Sequence, residues 1–242
     1  MTQLLSERIQ EYRLQKVLEV NPDIEVEYPS DDGLPMAESD YQRTPLIYGV
    51  ESLQLYFKSQ PSTYVSGNLL IYPEEGNPYN NVSPDLFVVF DIGNHKRDSY
   101  KLWQEKRAPS FVLEILSKST AGKDQGSKQG TYQYWGVGEY FLFDPKKKHL
   151  DPPLKGMRLG EDGMYDKLPV QRLADGSHTI FSEQLGLEVR VSADLELRFF
   201  DPVADRYLPN YEEANLLAQE AQNRVALLEA KLRELGIDPS AL

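Results

Sequence analysis

The fold is decided by two apolar runs, Pro84-Asp85-Leu86-Phe87-Val88-Val89-Phe90 and Phe111-Val112-Leu113-Glu114-Ile115-Leu116. Continuous apolar runs of this length are typical of β-strands that are covered on both faces. Each run carries one acid, Asp85 near the start of the first and Glu114 inside the second. Because burying a lone carboxylate is costly, such an acid implies a metal ion or a cationic partner. Two acids on adjacent strands with a lysine nearby match the needs of Mg²⁺-assisted phosphodiester cleavage.

Length and composition bound the class of protein. The 242 residues suit one α/β domain with an appendage. The absence of cysteine excludes disulfides and cysteine metal sites, and the scattered His95, His149 and His178 do not match close-spaced zinc motifs. The first residues lack a signal-peptide pattern, and no apolar run approaches the ~20 residues of a membrane helix. We therefore expect a cytoplasmic protein without a membrane partner.

The charge of the chain is uneven. A net charge of −12 argues against a protein that coats DNA generally, since such proteins are basic. Between Asn94 and Thr131, however, eight Lys and Arg residues stand against four Asp and Glu residues, a local net charge of +4. This window is either a solvated loop and helix face or a rim that contacts phosphates.

Three helices are predicted before the C-terminal segment, over residues 3–19, 39–60 and 124–135. An extended segment rich in proline and acids follows the first helix up to residue 37. The second helix starts at Ser39 or Asp40, or later because Pro45 falls in its first turns. In the third helix, Asp124 is expected near the start, where an acid caps the helix or complements its dipole.

The predicted strands form a mixed α/β core followed by hairpins. They cover Tyr64–Tyr72, Leu86–Phe90, Phe111–Leu116 and Tyr140–Phe143, and then the short alternating segments Met157–Leu159, Met164–Leu168, His178–Phe181, Leu187–Val191 and Leu195–Phe200. The order strand, strand, helix, strand around one sheet is typical of a mixed α/β fold. The short segments predict antiparallel hairpins that extend or cap the sheet.

The C-terminal segment carries a different pattern. Its apolar residues are spaced 4-3-4-3-4-3: Ala214, Ala218, Ala221, Val225, Leu228, Leu232 and Leu235. This is the stripe of a coiled-coil-like helix over residues 209–235, ended by Gly236 and Pro239. The stripe needs an apolar partner, so we expect a homodimer through this helix; the alternative is that the helix docks on its own domain.

The stretch from about Glu38 to Pro145 resembles the Uma-two family of endonucleases. The segments that carry the resemblance are Met36–Asp40, Tyr64–Tyr72, Pro84–Phe90, Phe111–Ile115, Ser117–Thr120 and Gly136–Pro145. Their order and spacing are distinctive, and they cover a little under half of the chain. The family is placed in the restriction-endonuclease-like superfamily, PD-(D/E)XK, whose signature is Pro-Asp followed by Asp/Glu-x-Lys.

The resemblance implies a fold, a cofactor and a partner. The fold would be a restriction-endonuclease-like mixed β-sheet flanked by helices, over residues 38–205. Residues 1–37 would precede it, and the heptad helix would follow over residues 209–236. The site would bind Mg²⁺ or Mn²⁺ through Asp85, Glu114 and the backbone carbonyl of Ile115, with Glu38 as a helical ligand. The partner would be DNA.

One position departs from the superfamily signature. The motif lysine should lie two residues after Glu114, where this chain has Leu116. An apolar residue cannot replace a cation, so the resemblance suggests that the lysine has moved to the following helix and is Lys128. Lys118 is a second candidate, which would point the same way as Glu114 only if the strand continued regularly through Ser117.

Two further residues and one alternative function stay open. Asp124 and Tyr132 are secondary site candidates, although a helical tyrosine more often packs its helix on a sheet. The retained Asp85 and Glu114 favour an endonuclease. Leu116 and the acidic balance favour a catalytically inactive nuclease-fold protein that acts as a binding or regulatory oligomer.

Overall fold

The computed structural model describes residues 26–30, 39–118, 120–235 and 238. The helix predicted over residues 3–19 and the candidate ligand Glu38 lie outside these ranges. The helices are α1 (Asp40–Tyr56), α2 (Leu102–Glu105), α3 (Ala121–Asp124), α4 (Ser127–Trp135) and α5 (Tyr211–Glu234). The strands are β1 (Thr63–Ser66), β2 (Ile71–Tyr72), β3 (Leu86–Phe90), β4 (Tyr100–Lys101), β5 (Phe111–Ile115), β6 (Glu139–Phe143), β7 (Leu154–Leu159), β8 (Tyr165–Lys167), β9 (Gln171–Arg172), β10 (His178–Ser182), β11 (Leu187–Val191), β12 (Leu197–Asp201) and β13 (Arg206–Tyr207).

The central sheet has six strands in the order β1-β3-β5-β6-β7-β8. Strands β5 and β6 pair in parallel, and the other neighbours pair antiparallel. Parallel neighbours need a crossover connection, and here α3 and α4 supply it. The strands β3, β5 and β6 are buried almost throughout, as their apolar sequences predict. The predicted mixed α/β fold with flanking helices is confirmed.

Two apolar clusters cover the two faces of this sheet. On one face, α1 and the five-stranded sheet β13-β12-β11-β10-β9 pack through a cluster that includes Leu53, Leu113 and Phe199. On the other face, α4 packs through Tyr132 against Val112 and neighbouring residues. The predicted C-terminal hairpins are thus present: β7 and β8 extend the central sheet, and β9 to β13 form the second sheet that covers it. The last predicted strand begins at Leu197, two residues late.

The strand predicted over Tyr64–Tyr72 is wrong as one element. It is divided into β1, which pairs with β3, and β2, which pairs in parallel with β4. The break lies at Gly67 and Asn68, and Asn68 has a left-handed φ of 49°. A Cβ at Gly67 would lie 2.4 Å from the carbonyl oxygen of Asp85, so the close approach of two backbones bends the chain here.

Two predicted helix boundaries also differ. Helix α1 begins at Asp40, so Pro45 lies inside it and does not delay its start. Pro45 has no backbone N–H, so the helix lacks one hydrogen bond at this point. Burial of Leu53 offsets this loss and anchors the helix. The helix predicted over residues 124–135 is broken, because α3 ends at Asp124 and α4 starts at Ser127. Asp124 is therefore the last residue of a short helix rather than an early residue of a long one.

Helix α5 confirms the C-terminal helix expected over residues 209–235. It begins with a capping box in which the Asn210 side chain accepts from the Glu213 N–H and the Glu213 side chain accepts from the Asn210 N–H. None of its described residues is buried, and Val225 and Leu228 are 54% and 52% exposed. The apolar stripe is thus not covered by the described part of the chain. No helix in the described ranges is long and apolar enough to cross a bilayer.

Candidate active site

The pairing of β3 with β5 brings the two strand acids together. Leu86 lies opposite Leu113 in this antiparallel pair, so the same register places Asp85 opposite Glu114. Residues opposite each other in such a pair have Cβ atoms about 4.5–5.5 Å apart. Oδ2 of Asp85 accepts the backbone N–H of Ile115 at 2.6 Å, which holds its carboxyl beside that of Glu114. The two acids therefore share one end of the sheet.

Glu114 is buried, with an exposed fraction of 1%, and both carboxylate oxygens have partners. Oε1 accepts the hydroxyl of Tyr132 at 2.6 Å. Oε2 lies 2.9 Å from Nζ of Lys128. Both partners come from α4, one turn apart, because residues four positions apart share a helix face. This helix therefore fixes the Glu114 carboxylate from two sides.

Asp124 is a third acid at the same place and is fully buried. Its Oδ1 lies 3.1 Å from Nζ of Lys128, in an ionic contact that lacks hydrogen-bond geometry. Neither of its carboxylate oxygens accepts a hydrogen bond from the described residues. The Tyr140 hydroxyl donates to the backbone carbonyl of Asp124 at 2.8 Å and anchors the end of α3. One ammonium is thus shared by two buried carboxylates.

The protonation of the site follows from this charge balance. Burial raises the pKa of Glu114 to about 8, although the Lys128 ammonium and the Tyr132 hydroxyl oppose the shift. Burial raises the pKa of Asp85 to about 6, against the lowering effect of the Ile115 N–H and of Lys128. Burial lowers the pKa of Lys128, but Glu114 and Asp124 outweigh it and hold that pKa above its ordinary value. Lys128 therefore stays charged, and it is the cation that the buried carboxyl groups of Glu114 and Asp124 share.

Comparison with known proteins identifies the family. A family model described as "Uma2: Putative restriction endonuclease" matches residues 9–192, more than half of the chain. The chain belongs to the Uma2 family. A similar solved structure is a "putative nuclease belonging to DUF820 from Anabaena variabilis ATCC 29413", with a TM-score of 0.41 and 14% identity over 64% of this chain and 83% of that one. The comparison with curated proteins found no match.

The Uma2 site brings together most of the residues that its sequence singled out. Asp85, Glu114, Lys128 and Asp124 converge, and Tyr132 bonds Glu114 as well as packing its helix. Lys118 does not join them, because β5 ends at Ile115 and the Lys118 side chain is exposed.

Metal ligands can be assessed from the donor set. Mg²⁺ is usually held by one or two carboxylates together with waters and substrate phosphates. The adjacent oxygens of Asp85 and Glu114 fit that pattern, and the unbonded oxygens of buried Asp124 add negative charge. Among the described residues, no group of three or more His, Cys, Asp or Glu side chains is arranged to hold a metal ion. Nζ of Lys128 contacts the carboxylates of both Glu114 and Asp124.

Two residues that matter to the site were not predicted from the Uma2 sequence. Gly67 allows the backbone of Asp85 to approach β1, and Tyr140 anchors Asp124. An isolated glycine inside a strand pattern is a usable signal of close backbone approach. Tyr140 gave no signal, since a tyrosine in an apolar run is typical of any buried strand.

Proposed function

We propose that this Uma2 protein is a metal-dependent endonuclease that hydrolyses phosphodiester bonds in DNA. The observation that carries the proposal is the contact between Lys128 Nζ and Glu114 Oε2 at 2.9 Å. It supplies, from a helix, the cation that the superfamily signature supplies from the strand at the position of Leu116. An acid on each of two paired strands plus a lysine is the group of side chains that this chemistry requires.

Asp85, Glu114 and the backbone carbonyl of Ile115 would hold the divalent ion, Mg²⁺ or Mn²⁺. When bound, the ion lowers the pKa of water and neutralises negative charge on the phosphate. Glu38 remains a proposed fourth ligand, outside the described residues. The acids would release their protons on binding, because only the carboxylate form is a ligand.

The other side chains would position and stabilise. The Lys128 ammonium is a charged donor at the edge of the acid pair, where it can orient the attacking water or stabilise charge that develops on the phosphate. Tyr132 holds the orientation of Glu114 through its hydroxyl. Asp124 lies 3.1 Å from Lys128 and would continue to hold the ammonium if Glu114 turned to a metal ion.

A cleavage assay tests the proposal. Supercoiled plasmid DNA is incubated with the full chain and Mg²⁺ or Mn²⁺, and nicked and linear products are measured. We expect cleavage that needs the metal and is lost in Glu114→Gln. A protein that cleaves no nucleic acid with any divalent metal contradicts the proposal.

One alternative function has a specific observation in its favour. The position of the motif lysine is occupied by Leu116, which is buried with an exposed fraction of 3%. A nuclease fold without catalysis would then serve as a binding or regulatory oligomer. Binding of DNA without cleavage by the metal-loaded wild type would support this alternative.

We further propose that the protein is a cytoplasmic homodimer. The stripe of α5 is an apolar surface with no cover from the described residues, and a second copy offers the same stripe. In this arrangement residues 38–205 form the nuclease domain, residues 1–37 precede it and residues 209–236 form the pairing helix.

A further inference from the structure

A groove of about 490 Å³ follows the outer edge of β1, the first strand of the central sheet. Its lining includes Tyr64 and Ser66 of β1 together with Lys58, Lys96 and Arg97. Four strand residues span about 13 Å, so the groove is elongated rather than round. Its shape fits an extended ligand.

The groove leads to the acid pair. Tyr64 lies opposite Val89 and Ser66 opposite Phe87 in the pairing of β1 with β3. Opposite residues share a face of the sheet, and Asp85, which directly precedes β3, continues the same alternation on that face. The Ser66 end of the groove therefore lies opposite Phe87, two residues along the chain from Asp85 of the candidate active site.

The groove is lined by positive side chains, whereas the chain as a whole is negatively charged. None of its described lining residues is Asp or Glu, in a chain with a net charge of −12. Arg97 is held by Glu105, with Nε 2.6 Å from Oε1, and its guanidinium lies 4.3 Å over the ring of Tyr64. Lys58 and Lys96 are exposed and form no ion pair with the described residues. Two cations are thus available to a ligand.

The open edge of β1 is partly closed. Nε2 of Gln54 donates to the backbone carbonyl of Val65 at 3.1 Å. An added peptide strand would need that carbonyl for its own ladder. The groove is therefore poorly suited to strand addition and better suited to a ligand that recognises charge.

We propose that this groove binds the phosphodiester backbone of the DNA that enters the Asp85–Glu114 site, with Lys58 and Lys96 contacting phosphates. The inference rests on the proposed function and adds the path of the substrate. Lysines that neutralise phosphates release counterions, so each contact adds to the salt dependence of binding.

The test measures DNA binding without cleavage. A fluorescein-labelled duplex of mixed sequence is titrated with the full chain in EDTA, by fluorescence anisotropy, from about 50 to 200 mM salt. The double variant Lys58→Ala/Lys96→Ala should bind more weakly and lower the slope of log K against log salt by about 2. The matched control is Lys148→Ala/Lys167→Ala, which removes two exposed lysines elsewhere; Lys167 lies on β8 at the opposite edge of the sheet.

The outcomes separate the two proposals. A groove variant with a lower slope than both wild type and control supports the groove. If the wild type cleaves DNA and both double variants bind it alike, the groove is wrong and the endonuclease stands. If the metal-loaded wild type binds DNA without cleaving it, the endonuclease fails, and the salt slopes of the two double variants still decide the groove. If the wild type neither binds nor cleaves DNA, the endonuclease fails and the groove fails with it.

Discussion

Nζ of Lys128 lies 2.9 Å from Oε2 of Glu114, although the two residues belong to different elements, α4 and β5. The same ammonium lies 3.1 Å from Oδ1 of Asp124. A lysine on the helix after the strand thus contacts the strand acid directly. The position two residues after Glu114 holds Leu116 in this chain, and the proposed function assigns the role of the motif lysine to Lys128.

The first prediction concerns this cation. Lys128→Ala should lower the rate of DNA cleavage by about 100- to 1,000-fold, the usual loss when one positioned donor is removed. The protein should remain folded by circular dichroism, because Glu114, whose pKa is already about 8, can take up a proton instead. Lys118→Ala, on an exposed lysine, is the control and should keep full activity. Equal loss in both variants would show that Lys128 is not the motif lysine.

The second prediction concerns Tyr132. Tyr132→Phe removes the hydroxyl that Glu114 accepts at 2.6 Å, so Glu114 loses the bond that orients it. Loss of such a supporting bond weakens metal binding by about 10- to 100-fold, which calorimetry with Mn²⁺ measures. Tyr134→Phe changes the same helix at a side chain that is 89% exposed and should have no effect. Unchanged affinity in Tyr132→Phe would argue that Glu114 is not a ligand.

The third prediction concerns the metal itself. A metal at 100 times its dissociation constant stabilises the fold by about 2.7 kcal/mol, which raises the melting temperature. Asp85→Asn combined with Glu114→Gln should abolish this rise. Asp98→Asn, at an exposed acid outside the site, should retain it. A melting shift that survives the double change would place the metal elsewhere.

The fourth prediction concerns Asp144, the residue that directly follows β6. Its carboxylate accepts the backbone N–H groups of Lys146 at 3.1 Å, of Leu150 at 2.9 Å and of His149. Burial raises the pKa of Asp144, but these bonds outweigh burial and hold it below its ordinary value. The stabilisation is therefore present above about pH 4 and is lost as the pH falls through the lowered pKa.

Asp144→Asn should then lower the unfolding free energy by about 1–3 kcal/mol near neutral pH. It should also reduce the fall of that free energy at acidic pH (the acid limb). Urea unfolding from neutral pH down to below about pH 4 measures both effects. Asp194→Asn, at an exposed acid, is the matched control. An acid limb that is equally steep in wild type and Asp144→Asn would rule out this source of acid sensitivity.

The fifth prediction concerns association through α5. Leu228 lies on the stripe and is 52% exposed, whereas its neighbour Leu227 lies off the stripe and is 58% exposed. Burying each apolar side chain of the seam is worth roughly 1.5–3 kcal/mol. Leu228→Lys should therefore convert a dimer into a monomer by light scattering, while Leu227→Lys should remain dimeric. A wild-type protein that is monomeric at every concentration tested would contradict the coiled-coil dimer.

The sequence was sufficient wherever local pattern and burial agree. The apolar runs of β3, β5 and β6 were predicted because strands buried on both faces need apolar residues at every position. The capped helix α5 was predicted because its period and end signals lie in consecutive residues. Family membership was visible in the order of the motifs.

The sequence-based predictions were wrong where the conformation of a residue depends on a contact with a distant segment. The strand predicted over Tyr64–Tyr72 breaks because Gly67 approaches Asp85, a contact between two segments that no local propensity records. Asp124 ends α3, facing the ammonium of Lys128, although local rules predicted the first turn of a longer helix.

The sequence by itself determined which side chains were available: two acids at apolar strands, Leu116 where the superfamily signature has lysine, two lysines further along the chain, and an apolar stripe near the C-terminus. Only the tertiary structure decided which of Lys128 and Lys118 contacts Glu114, because the end of β5 at Ile115 leaves Lys118 exposed while α4 carries Lys128 to Glu114. The physical reason is that burying Glu114 in its charged form requires a cation at contact distance, and contact distance depends on how α4 packs on the sheet.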